Sequence, residues 1–283
     1  MIIDSHHHLW DLQKRDYPWM SPNLKPIYRN FSVEDLATTI KPYDVKGAVL
    51  VQAHQSVEET LWMLDIAEKS ALIRGVVGWV DLKDPGLDEI LAQLKTRRKL
   101  KGVRHIIQDE PDVNWMLQTD VIRGLQMVHK AGLTYDLLIK PHQLDNALRL
   151  IEHLPVMSLI VDHIAKPYIK DGKHEPWATQ MRQLAKHSHV HCKISGLITE
   201  ANPQRWKPED FTFYLEHIVE IFGWDRICWG SDWPVCLLAG DYGQVLHLPE
   251  KLLKPGATDQ QWAQFMGLNT QKFYHLEQMF GSR

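Results

Sequence analysis

Eight short apolar, β-rich runs, separated by helical patterns, constrain the fold of this chain more than any other feature. They are Ile2–Ser5, Gly47–Gln52, Arg74–Val80, Gly102–Ile106, Thr134–Ile139, Ser158–Asp162, His191–Ile194 and Arg226–Gly230. Most are continuous rather than alternating, as expected of parallel strands covered by helices. Between them Glu58–Ala71, Leu87–Arg98, Val121–Ala131, Leu144–His153, Trp177–His187 and Phe211–Phe222 carry apolar residues at helical spacing, and Asp259–Tyr274 closes the chain. Alternation of this kind over 283 residues predicts one α/β domain, residues 1–283, folded as a TIM-like (β/α)8 barrel. An open doubly wound sheet is the alternative. That fold commonly has a glycine-rich phosphate turn after its first strand, whereas here histidines follow and no G-x-G-x-x-G occurs. Trp10–Arg29, with Pro18, Pro22 and Pro26, reads as an ordered loop over the barrel mouth, and Gly240–Thr258 as a second long loop.

Charge and cysteine usage exclude several classes. A net charge of −3 gives no basic face for nucleic acid. No run reaches the roughly 18 apolar residues of a membrane span, and no basic stretch precedes an apolar one at the N-terminus, so neither a membrane nor a signal peptide is expected. Cys192, Cys228 and Cys236 are odd in number and contain no C-x-x-C pair, which fits reduced thiols in a cytoplasmic protein. The expected partner is a small molecule.

Catalytic groups in such a barrel sit at the C-terminal ends of strands. Strand one ends in His6 and His8, which two-residue spacing points to one side. A vector-derived tag or solvated loop histidines are the bland alternatives; a tag would not follow an apolar strand start. Strand four ends in Arg104-His105, of which strand period lets only one point fully inward unless a turn begins there. Strand five offers Asp136, with Lys140 and His142 beyond it. Strand six ends in Asp162-His163, followed by Lys166. Strand seven ends in Lys193-Ile-Ser-Gly196, and strand eight in Gly230-Ser-Asp-Trp-Pro234. Ionisable groups at so many separate strand ends are hard to attribute to chance.

With His6-x-His8, His163 and Asp232 in this order, the chain resembles the amidohydrolase superfamily. The similarity is closer to its sugar-lactone hydrolase branch (fuconolactonase- and rhamnonolactonase-like), which includes 2-pyrone-4,6-dicarboxylate lactonase. Gly102-Val-Arg-His105, Tyr135-Asp-Leu-Leu138, Val161-Asp-His163, Lys193-Ile-Ser-Gly196 and Gly230-Ser-Asp-Trp-Pro234 support it over nearly the whole length. The resemblance implies hydrolysis at a carbonyl carbon. Such a reaction needs a base for water, a group that polarises the carbonyl and a proton donor for the leaving alkoxide. Asp232 is the expected base, with His163 beside it and His105 as a candidate general acid. Arg104 and Lys193 are candidates to hold the carbonyl or oxyanion. Each also has a structural reading: Asp232 as a partner orienting His163, His163 as a satisfied core histidine, and the two cations in ion pairs.

Members with two metals use a carboxylated lysine on strand four and a histidine on strand five. Arg104-His105 and Asp136 occupy those places, so a binuclear centre is not expected. One Zn²⁺ or Mn²⁺ held by His6, His8, His163 and Asp232, and metal-independent hydrolysis, are both consistent with the branch. For a sugar ring, the 11 tryptophans offer Trp79, Trp115 and Trp233 at or past strand ends and Trp10 and Trp19 in the first loop; Gln52, Gln108 and Tyr135 are neutral hydrogen-bonders. Packing under the loops is the plainer role for any one of these indoles. A dicarboxylate would need several converging guanidiniums, and the strand ends supply Arg104 alone. An aldonolactone is therefore the expected substrate. A metal-dependent decarboxylase of the same superfamily and a non-enzymatic sugar-binding barrel are the alternatives.

Overall fold

The computed structural model describes residues 1–277. Eight parallel strands pair in sequence order, β1 Ile2–His7, β2 Val45–Val51, β3 Ile73–Gly78, β4 Leu100–His105, β5 Thr134–Leu137, β6 Leu159–Val161, β7 Val190–Ile194 and β8 Ile227–Trp229. The ring closes just past β8: Asp232 N–H donates to the His6 carbonyl at 2.8 Å and His8 N–H to that of Trp233 at 2.7 Å. Buried Asp4 adds a side-chain tie, accepting from the Ser231 amide at 2.9 Å and from the Tyr242 hydroxyl at 3.1 Å. Each strand run expected from the sequence is a strand of this TIM-like barrel.

The helices α1 Val33–Ile40, α2 Val57–Lys69, α3 Leu87–Leu94, α4 Thr119–Lys130, α5 Leu144–His153, α6 Trp177–Ala185, α7 Thr212–Phe222 and α8 Tyr242–Leu253 cover the outside. The last of these corrects the loop expected over Gly240–Thr258. Pro249 lies inside α8, and proline with nearby glycine hid the helix; its capping box, in which Asp241 accepts from the Gln244 amide and Gln244 answers, was the available signal. Helix α1 is capped the same way by Ser32 and Asp35. The chain then ends in α9 Asp259–Ala263, a π turn over Gln264–Leu268, and α10 Asn269–Phe273. Phe273, Tyr274 and Leu276 pack with Ile3, Val49, Val51 and Val77 inside the barrel, closing its floor. Cys192, Cys228 and Cys236 are buried free thiols. Among the described residues no helix is long and apolar enough to cross a membrane.

One buried acid makes the fold pH-sensitive. Glu59, at the start of α2, accepts from the Ala53 and His54 amides at 3.0 and 2.8 Å. Burial pushes it up to about 7 from the usual 4.5, although these hydrogen bonds oppose the shift. The native state therefore binds more protons than the unfolded chain between those two values, and stability falls as pH rises through that window. A rise of that size corresponds to about 3 kcal/mol at most. Glu59→Gln keeps the acceptor oxygen and removes the charge. Urea denaturation should find it more stable than the parent at pH 8 and nearly equal at pH 5; an identical difference at both pH values would contradict this account.

Candidate active site

Strand β1 carries a register irregularity between Asp4 and His7. It changes the strand's parity, so that Ile3 and His6 both face the interior. His6 and His8 then project together, as their spacing predicts, with their Nε2 atoms 3.2 Å apart. Asp232 comes from the turn after β8. Its Oδ1 lies 3.3 Å from His8 Nε2, 3.8 Å from His6 Nε2 and 4.0 Å from His163 Nε2. His8, His163 and Asp232 line a cleft of about 130 Å³ together with Trp19, Arg104, Gln108 and Lys166, and fully buried His6 backs them.

Unusual backbone delivers two of them. His163, Ile164, Ala165 and Lys166 have φ values of 53, 48, 58 and 50°, four consecutive left-handed residues, and Asp232 has 55°. Such a conformation costs roughly 1–2 kcal/mol per residue, and strain of this kind concentrates at functional sites. The Trp177 indole donates to the Ile164 carbonyl at 2.7 Å and holds the turn. It brings His163 beside Asp232 and Lys166 to the cleft wall. Lys166, paired with Glu200 at 3.4 Å, had no role in the sequence reading, because a left-handed run of non-glycine residues leaves no compositional signal.

Gly196 makes this approach possible. It sits at φ 63°, and a Cβ there would fall 2.6 Å from His163 Nδ1 and 3.0 Å from Asp232 Oδ2. Gly196→Ala should therefore lower turnover by about tenfold or more by displacing both groups. Unchanged kinetics in that variant would show that His163 and Asp232 tolerate displacement.

Burial pushes His163 down to about 4 in spite of the Asp232 and Asp162 carboxylates, so its imidazole is neutral at neutral pH. For Asp232 burial acts the other way, yet His163, the hydrogen bond from His8, and His6 outweigh it and hold the carboxyl well below its usual range. Asp232 is thus an ionised carboxylate ringed by imidazoles.

Strand alternation settles which of the β4 pair enters. Arg104 points inward: Nη1 lies 3.3 Å from His6 Nε2 and 3.1 Å from Asp162 Oδ2, and Nη2 donates to Gln52 Oε1 at 2.9 Å. His105 points outward, which corrects its expected role as general acid. It stacks on Trp115 at 3.9 Å, accepts from the Trp79 indole at 3.1 Å and donates to Glu110 at 2.6 Å. Trp79 is thereby engaged with His105 rather than with the cleft. Tyr135 corrects likewise: its neighbour Asp136 faces inward, so the phenol lies in the helix layer, fully buried. Trp233 is buried against Phe31 with ring centres 5.2 Å apart. Gln52 is fully buried and positions Arg104.

Lys193 is also displaced from its expected place. It lies fully buried beneath the imidazoles, where Nζ donates to Asp136 at 2.5 Å, pairs with Asp162 at 3.0 Å and reaches His6 Nδ1 at 3.0 Å. Burial alone would lower it, but the two carboxylates hold it up, so it remains an ammonium.

The donor set fits one divalent ion. Ligand atoms of His6, His8 and Asp232 lie within 4.8 Å of one another, as do those of His6, Asp162 and His163. Both groups draw on His6. His8 Nδ1 is hydrogen-bonded to the Val51 carbonyl at 2.8 Å, leaving Nε2 to face the cluster, the orientation a ligating histidine needs.

An amidohydrolase family model matches residues 3–276, nearly the whole chain. The chain belongs to the amidohydrolase family. This amidohydrolase is 35% identical to L-fucono-1,5-lactonase of Burkholderia ambifaria, over 99% of its own length and 98% of the relative's. It is 34% identical to the enzyme of that name from Burkholderia multivorans, covering 88% and 87% of the two chains. A zinc-bound amidohydrolase crystal structure from Burkholderia multivorans superposes with a TM-score of 0.94 at 32% identity, over 98% of this chain and 100% of the other.

Proposed function

We propose that this amidohydrolase opens a sugar-acid lactone, an aldonolactone such as L-fucono-1,5-lactone, by attack of water on the ester carbonyl. The observation that carries the reading is the ionised Asp232 carboxylate at the cleft floor, with neutral His163 beside it and Arg104 lining the same cleft. Similarity to lactonases over the full chain supports it. Asp232 Oδ1 accepts a proton as the water oxygen bonds to the carbonyl carbon. The Arg104 guanidinium, anchored on Gln52 and Asp162 and lining the cleft, places a fixed positive charge where the oxyanion develops. The carbon–ring-oxygen bond then breaks, and the proton held on Asp232 passes to the departing alkoxide. A divalent ion held by His6, His8 and Asp232 would polarise the carbonyl and acidify water. The cations here also suit the carboxylate product.

The cleft argues against a dicarboxylate substrate. Arg104 and Lys166 are its cations, and each already faces a carboxylate, Asp162 and Glu200 respectively. We infer an intracellular enzyme of carbohydrate breakdown from the free buried thiols and this substrate class.

The deciding experiment is acid release from a panel of aldonolactones, followed with a pH dye, before and after chelation and with Zn²⁺ or Mn²⁺ restored. Turnover confined to pyrone or aromatic acids would overturn the proposal. Within that assay Arg104→Ala should lower kcat/KM by about a hundredfold, whereas Lys140→Ala should change it little, because Lys140 pairs with Asp109 in solvent. The reverse order would mean that the oxyanion lies elsewhere.

A further inference from the structure

The catalytic cleft does not end at the lactone site. A larger lobe of about 590 Å³ adjoins it, and the two share Trp19, Ala53, Ile106 and Asp109 as walls. Beyond those shared residues the lobe is bounded by His54 and Gln55, which follow β2, and by Glu110 and Pro111, which follow β4. A single six-membered lactone seated on Asp232 would leave this lobe to solvent.

Its chemistry is that of a carbohydrate subsite. The Trp19 indole donates to the Ala53 carbonyl at 2.8 Å, which pins its ring and presents a flat apolar face. Around it stand groups suited to hydroxyls. Gln55, also in the wall, uses its Oε1 to accept from the Ile106 amide at 2.8 Å, a bond that does not engage its NH₂. The His54 imidazole also forms part of the wall. Glu110 is held by His105 at 2.6 Å, and Asp109 is half-exposed. Carboxylates accept from sugar hydroxyls, whereas a phosphate or carboxylate substituent would meet Asp109 and Glu110 as like charges. Among the described residues no lysine or arginine lines the lobe, in contrast to the inner cleft with Arg104 and Lys166.

We propose that this lobe is a subsite for a neutral glycosyl substituent, so that the enzyme takes glycosylated aldonolactones as well as simple ones; this rests on the lactonase reading above. The test compares kcat/KM of the full chain on an unsubstituted aldonolactone and on its O-glycosyl derivatives, one for each free hydroxyl. One derivative should match or exceed its parent by up to about tenfold, chiefly through a lower KM. His54→Ala removes a polar wall and Pro111→Trp fills the rim; both lie outside the inner cleft. Each should lower the derivative-to-parent ratio by about fivefold or more and leave the parent within about twofold. The inference is overturned if every derivative falls more than about a hundredfold below its parent, or if both variants change parent and derivative alike. Failure to turn over the unsubstituted lactones would instead remove the lactonase reading, and the subsite with it.

Discussion

Asp232→Asn should reduce lactone turnover by about a thousandfold or more and leave the protein folded, with its melting temperature within a few degrees of the parent. The size follows from the position of the carboxylate. It is an ionised carboxylate at the cleft floor that faces three imidazoles within 4.0 Å and is held acidic by them. An amide cannot accept the proton of attacking water. The small cost to stability follows from the backbone. Asp232 sits at φ 55°, and asparagine tolerates the left-handed region about as well as aspartate. Its backbone amide bond to His6 is untouched. Turnover within about tenfold of the parent would remove Asp232 as the base and shift attention to His163. An unfolded variant would give the carboxylate a structural role, and Asp232→Glu would then separate the two, since it keeps the charge but moves it.

Much of this site was legible because strand ends in a (β/α)8 barrel are also its active-site rim. His6, His8, His163 and Asp232 sit at those ends, and they converge. What sequence could not carry was depth and parity. Lys193 points inward from β7 toward Asp136 and Asp162, and these buried carboxylates hold its ammonium under the imidazoles instead of among them. Arg104 and His105 are adjacent, so strand alternation had to send one outward, and only the strand's rotation decides which. Tyr135 lost to Asp136 for the same reason. The tryptophans misled differently. Trp233 follows Asp232 directly yet is buried under the first loop, whereas Trp19, far from any strand, folds over the mouth because its indole reaches the Ala53 carbonyl. Loop closure of that kind depends on tertiary contacts that periodicity does not encode.

Lys193→Met should destabilise the protein by about 3–5 kcal/mol, more than any other single change at the site. The lysine is fully buried between Asp136 and Asp162, also fully buried. Two carboxylates there have partial support of their own: Tyr274 donates to Asp136 at 2.7 Å, and Arg104 donates to Asp162 at 3.1 Å. Methionine fills the volume and leaves one negative charge without a compensating cation. In a protein this size that corresponds to a fall in melting temperature of about 10 °C. The double variant Lys193→Met with Asp136→Asn removes the orphaned charge and should recover a substantial part of the loss, because residues in one ion-pair network are not additive. Thermal melts of the parent, both single variants and the double variant complete that cycle. The kinetics at a temperature where all four are folded should show an effect on kcat with KM little changed, since Lys193 touches His6 from below and reaches no part of the cleft. A rise in KM with undiminished stability would instead return Lys193 to the lactone carbonyl, and the polar layer beneath the imidazoles would need another cation to explain how two buried acids coexist.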